Sequence, residues 1–320
     1  MSAPADARSA AASSTGTTAV THRTVQIDGV EVFYRAAGPV GAPVLLLPHG
    51  YPCSSFQFRA LMPALADRWR LVAPDFPGFG YSGTPDEGFA FDFEGYAHFL
   101  DRFTSALALR RYALYLHDYG SQIGLRHAMQ RSGRITALII QNGDIYEDTL
   151  GPKYAAIKAY WNDPSPAHLA VLADAVSEEG FREEFIGEVS PRVAARLSPD
   201  LWRLHWALMD TPARRGVALG LMRGLKENLR WFPRYQDYLR TYRPPTLILW
   251  GPQDGYMPIE AGRAYLRDLP HAEFHAFEDG GHWLLETHLA EVLSPLRDFL
   301  GRHLPSPVSA SERSIEGVPV

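Results

Sequence analysis

Tyr112-Ala113-Leu114-Tyr115-Leu116-His117-Asp118-Tyr119-Gly120-Ser121 reads as a buried strand that runs without a break into a sharp turn and then a helix. Mostly apolar residues lead in, an acidic residue follows His117, and a glycine two places on lets the chain turn closely. Such a turn lifts one side chain to its tip, and here that side chain is Asp118. A carboxylate nucleophile attacks carbon and leaves an alkyl ester, which water must then cleave. That chemistry points away from ordinary ester or peptide hydrolysis and toward C–halogen or epoxide C–O cleavage.

The 320 residues allow two domains by length, although α/β folds of this size are often one domain with an insertion. Hydrophobic residues make up 46% of the chain, enough for a large core. Lys and Arg number 31 against 36 Asp and Glu, a net charge of −5 with no basic stripe, so neither nucleic acid nor anionic lipid is an expected partner. The single cysteine, Cys53, excludes an internal disulfide and fits a reducing compartment, so a cytoplasmic location is expected. No apolar run approaches the roughly 18 residues a membrane span needs. Residues 1–22, rich in Ala, Ser and Thr with no apolar signal core, read as a disordered leader, and residues 304–320 as a disordered tail.

Outward from the opening stretch, strand-like and helix-like runs alternate. Residues 24 to 36 alternate around Asp28-Gly29, a hairpin signal. Val44 to Leu47, Leu71 to Phe76 and Ala137 to Gln141 are further apolar strands, separated by helix-like runs. Strands this apolar on both faces predict a mostly parallel sheet flanked by helices. From 145 to 243 no strand-like run occurs, and amphipathic segments dense in aromatic residues predict an inserted helical cap. The sheet resumes with Thr246 to Trp250 and closes with Glu273 to Phe277, so the α/β core spans 23–144 and 244–303.

Asp118, Asp254 and His282 each follow a strand, in the order nucleophile, acid, histidine. Catalytic groups of parallel sheets collect at the carboxyl ends of strands, so the three converge. Asp118 needs no base for its attack; His282 is suited to deprotonate the water, and Asp254 to hold the imidazole and stabilise its charge. An ester's tetrahedral intermediate requires two backbone N–H donors, assigned to Tyr51 and Tyr119. Asp144 is the fallback acid, disfavoured by Asn142 at that strand end. His49 and His117 read as braces, His205 as a core or pocket-wall residue, Cys53 as packing, and Ser121 as lying too far past the tip to be the nucleophile.

The motifs His49-Gly50-Tyr51-Pro52, Asp75-Phe-Pro-Gly-Phe-Gly-Tyr-Ser82, His117-Asp118-Tyr119-Gly120-Ser121, Trp250-Gly-Pro-Gln-Asp254 and Gly281-His282 together resemble the epoxide hydrolase and haloalkane dehalogenase group of the α/β-hydrolase fold. The resemblance spans residues 24 to 303. It implies a small-molecule substrate, with no metal and no organic cofactor. Haloalkane dehalogenases generally place Trp directly after the nucleophile to hold the halide, and many carry Asn after His-Gly; here these are Tyr119 and Tyr51. Epoxide hydrolases use two cap tyrosines that donate to the epoxide oxygen, for which Tyr154, Tyr160 and Tyr235 are the candidates, with Trp161 a candidate substitute for a halide donor. The resemblance thus implies an epoxide as substrate, with haloalkane dehalogenation as the near alternative and a non-hydrolytic tailoring or ligand-binding protein on the same fold as the more distant one.

Overall fold

Asp28 and Gly29 both take positive φ, 50° and 84°, the geometry of a two-residue turn whose twist matches its flanking strands. They join β1 (Thr21–Ile27) to β2 (Val30–Ala37) in an antiparallel pair. The computed structural model describes residues 18–305. Strand β1 therefore begins inside the stretch assigned to the leader, because Thr21 and His22 pair with Ala36 and Arg35. The remainder of that leader before residue 18, and the tail after 305, lie outside the described residues.

Six more strands follow: β3 (Val44–Leu46), β4 (Arg70–Pro74), β5 (Tyr112–His117), β6 (Ile135–Gln141), β7 (Thr246–Trp250) and β8 (Glu273–Ala276). They form one eight-stranded sheet in the order β1-β2-β4-β3-β5-β6-β7-β8. All pairings from β4 to β8 are parallel, and β2 meets β4 antiparallel. Every residue of β5 and β7 is buried, as helices on both faces require. The period of two divides β5 between two cores: Ala113 and Tyr115 pack with Leu61, Leu296 and Phe299, while Leu114 and Leu116 pack with Phe99 and Phe103.

Between β6 and β7 the chain is helical. Ser165 and Ser190 each cap a helix that opens with proline, accepting from His168 N and Val193 N. Two buried or half-buried arginines help bolt the cap to the core. Arg126, buried on the helix Tyr119–Gln130, donates to Asn228 Oδ1 at 2.5 Å and Tyr235 Oη at 3.1 Å and lies over the Trp231 ring. Arg214 of the cap helix Pro212–Leu229 donates to the carbonyls of Gly80 at 2.7 Å and Ser82 at 2.6 Å and to Thr84 Oγ1 at 3.0 Å. No described helix is long and apolar enough to cross a membrane.

Candidate active site

Because β5, β7 and β8 run parallel in one sheet, with β6 between the first two, the residues after their carboxyl ends share one edge. Asp118 leaves β5 with φ 50° and ψ −132°, a strained backbone that costs about 1–3 kcal/mol in general. Close packing holds it: a Cβ on Gly50 would come within 2.5 Å of the Asp118 Cβ, and one on Gly120 within 2.5 Å of the Pro48 carbonyl. The Asp118 side chain does not cap the helix it begins. Its Oδ1 accepts from Tyr51 N at 2.5 Å, and the adjacent Tyr119 amide also favours the charged carboxylate. Burial raises the Asp118 pKa above the ordinary carboxylate range, against the opposing pull of His282 and the two amides.

His282 follows β8 and is buried. Its Nδ1 lies 2.6 Å from Asp254 Oδ2, and its Nε2 stands 3.8 Å from Asp118 Oδ2 with no hydrogen-bond partner. Burial opposes the imidazolium, but the carboxylates of Asp254, Asp118 and Glu184 outweigh it and raise the His282 pKa to about 9. Asp254 is saturated, with Oδ1 accepting from Tyr256 N and Met257 N and Oδ2 also accepting from Asn142 Nδ2 at 2.9 Å. Asn142 further exchanges two hydrogen bonds with the Gly251 backbone. The residue that weakened the case for Asp144 as the acid is thus the clamp that orients Asp254.

The other histidines are tied down. His49 Nε2 accepts from Phe76 N at 3.0 Å and its Nδ1 lies 2.9 Å from the Gly50 carbonyl, bracing the turn that carries Tyr51. His117 bridges Gln57 Nε2 and the His282 carbonyl. His205 bridges Ser54 and the Leu201 carbonyl. Ser121 Oγ is buried without a partner inside the helix that follows Asp118.

The candidate cap donors are differently placed from the expectation. Tyr154 donates its hydroxyl to Asp144 Oδ2 at 2.6 Å, Tyr160 accepts from Arg223 at 2.8 Å, and Tyr235 is bonded to Arg126 and Asn228. Each hydroxyl has a protein partner: Tyr154 and Tyr235 reach Asp144 and Arg126 of the core, while Tyr160 and Arg223 both belong to the cap. Trp161 differs: its Nε1 is buried without an acceptor. The hydroxyl of Tyr51, 7% exposed, is likewise buried and unpartnered. Its ring lies 5.7 Å from that of Tyr119 and 5.9 Å from that of Phe181 in the cap.

Three residues near the triad were not anticipated from the sequence. Tyr256 packs edge-on against Tyr154, and its hydroxyl feels the charges of Glu184 and Asp118. Glu184 lines a cavity of about 10 Å³ beside His282. Lys153 Nζ sits 3.9 Å from Glu184 Oε2 and 2.8 Å from Glu188 Oε1. A second cavity of about 10 Å³ lies against Tyr51, Tyr119 and Leu221. Either void has room for about one water, and cap residues, Glu184 and Phe185 in one and Leu221 in the other, help wall it. Larger hollows, of 500 and 330 Å³, contain none of the triad and are set aside as the reaction site. Among the described residues no cluster of His, Cys, Asp and Glu is arranged to hold a metal ion.

Residues 43–289 match the model of a family described as alpha/beta hydrolase fold. The chain is 32% identical over 274 residues to an uncharacterized hydrolase of Saccharomyces cerevisiae, covering 85% of this chain and 93% of that protein. It is 30% identical over 220 residues to haloalkane dehalogenase 2 of Mycobacterium tuberculosis, covering 66% of this chain and 71% of that one. The solved structure of the epoxide hydrolase CorEH shares the fold with a TM-score of 0.71 at 20% identity, over 89% of this chain and 99% of that chain.

Proposed function

Since the chain belongs to the alpha/beta hydrolase fold family, we propose that it is a hydrolase that opens a small or medium apolar epoxide through an alkyl ester on Asp118. The observation that carries this reading is the Asp118 carboxylate itself, at the tip of the turn, with the Tyr51 amide 2.5 Å from Oδ1. The amides of Tyr51 and Tyr119 that hold the carboxylate are then in position for the oxyanion of the later tetrahedral intermediate.

Asp118 attacks a ring carbon, the C–O bond breaks, and the ring oxygen takes up a proton. His282 then removes a proton from water, whose oxygen adds to the ester carbonyl carbon. Collapse expels the alcohol oxygen, which takes the proton held by His282. The product is a diol, and the regenerated Asp118 carboxyl returns its proton to the medium. Alkylation of Asp118 also removes one of the three charges that raise His282. The imidazole becomes easier to deprotonate at the stage when a base is required.

The test is the intact mass of a His282→Ala variant exposed to epoxides and haloalkanes. An adduct equal to a whole epoxide, mapped to Asp118, supports the proposal; attachment elsewhere sinks it. A second reading, haloalkane dehalogenation, is favoured by one observation: the Trp161 indole N–H, buried and without an acceptor, is free to hold a halide. Its adduct is an alkyl group lacking the halogen.

A further inference from the structure

The ring oxygen expelled by Asp118 needs a proton; of the cap tyrosines expected to supply it, Tyr154 donates its hydrogen to Asp144 and Tyr235 to Asn228, while Tyr160 accepts from Arg223 and keeps its own. The cap helix Glu178–Ile186 offers a different group. It is pinned above the triad at two points. Trp283, next to the base, donates its Nε1 to the Glu184 carbonyl at 3.0 Å and stacks on Phe185 at 4.4 Å. Phe181, three residues before Glu184 and on the same helical face, packs edge-on against Tyr51. Glu184 is thereby held between Tyr51 and His282. Its side chain is 14% exposed, and its carboxyl makes no hydrogen bond among the described residues.

We propose that Glu184 is the acid of the ring-opening step: its carboxyl protonates the departing epoxide oxygen while the unpartnered Tyr51 hydroxyl donates a hydrogen bond to it. This rests on the epoxide reading above. The electron pair of the breaking C–O bond stays on oxygen, the Glu184 proton joins it, and Glu184 is left as a carboxylate. When the ester is hydrolysed, Asp118 forms as a carboxylic acid and loses one proton, and Glu184 regains one, so the cycle closes with epoxide and water consumed and diol formed.

The surroundings suit the role. Burial raises the Glu184 pKa to about 7; Lys153 and His282 pull it down, and Glu188 and Asp118 push it up. The phenols of Tyr51, Tyr119 and Tyr256 face the same charge and are kept protonated by burial. A carboxyl that holds its proton near neutrality is able to give it up in the transition state.

The experiment follows alkylation of Asp118 by intact mass in a His282→Ala parent, with an epoxide and with the matching alkyl bromide, whose leaving group needs no proton. Adding Glu184→Gln is expected to slow the epoxide reaction about 100-fold and to abolish its fall at alkaline pH, while the bromide reaction changes less than about threefold. Glu184→Asp is expected to restore part of the epoxide rate and the alkaline fall. An unchanged epoxide rate and pH profile in both variants overturns the assignment, and so does equal slowing with both reagents, which marks a structural effect. A parent that forms no adduct with any electrophile instead overturns the Asp118 ester, and this inference with it.

Discussion

His282 Nε2 stands 3.8 Å from Asp118 Oδ2, beyond hydrogen-bond reach, and has no other partner. A serine nucleophile must surrender a proton to its histidine and so is bonded to it. A carboxylate has none to surrender, and its histidine stays uncommitted until water arrives.

The decay of the alkyl-enzyme is therefore expected to speed up with pH as His282 loses its proton, with a midpoint below the value of about 9 that holds while Asp118 is charged. Rapid-quench mass measurements across pH give this profile. Asp254→Asn should slow the decay by about 10²–10⁴ and move the midpoint lower; a pH-independent decay contradicts the role of His282.

The same histidine has a stability signature. Its folded pKa lies above the ordinary 6.5, so its contribution is complete below 6.5 and is lost as pH rises through about 9. The stability advantage of wild type over His282→Gln should shrink between those limits in denaturant titrations.

Asp144 carries the same sign in a more acid window. Burial raises its pKa to about 6, with Tyr154 and Gln122 only partly compensating. A folded carboxyl that holds its proton too tightly loses stability as pH climbs from 3.8 to about 6. Relative to wild type, Asp144→Asn should gain on the order of 2–3 kcal/mol across that window. Unfolding free energies at the two ends measure the difference.

Tyr119 occupies the position where haloalkane dehalogenases generally carry tryptophan. Tyr119→Trp should raise the rate of Asp118 alkylation by bromoalkanes at least about tenfold, each strong N–H donor being worth about 1.5–3 kcal/mol toward a charged group. Halide release in single turnovers reports it. No change would show that the indole at this position does not reach the leaving atom.

Arg214 ties the cap to the turn holding Gly80, Ser82 and Thr84. Arg214→Met should lower the free energy of local opening there by about 2–3 kcal/mol, seen as faster amide exchange at residues 80–84. KM should move more than kcat, because the latch governs entry rather than chemistry.

Much of this site is legible in the chain because strand ends and turn residues carry strong local signals. Asp118 announces itself through the apolar run before it and the glycine after it. Asp254 follows a continuous apolar strand, whereas His282 follows a short mixed one and is marked chiefly by the Gly280-Gly281 pair before it. The cap is different. Glu184 sits in Glu-Glu-Gly-Phe-Arg-Glu-Glu-Phe, where charged positions at helical spacing look like a solvated face, and only tertiary packing by Trp283 and Phe181 turns one of them inward. Tyr154 and Tyr235 read as pocket tyrosines because nothing local foretells Asp144 or Arg126 as partners. Asn142 counts in the sequence only as an argument against Asp144, although its Nδ2 donates to Asp254 and its Oδ1 accepts from Gly251 N.

The cap enters the chain between β6 and β7, so Asp118 precedes it while Asp254 and His282 follow. Synthesis runs from the N-terminus, and the ribosome therefore releases Asp118 and the Tyr51 and Tyr119 amides first, then every helix of the cap, and Asp254 and His282 last. A chain arrested within the cap would hold Asp118 but lack β7, β8 and the histidine that faces it. The place of the insertion in the gene thus writes a timetable, in which turnover becomes possible only after the cover is already made.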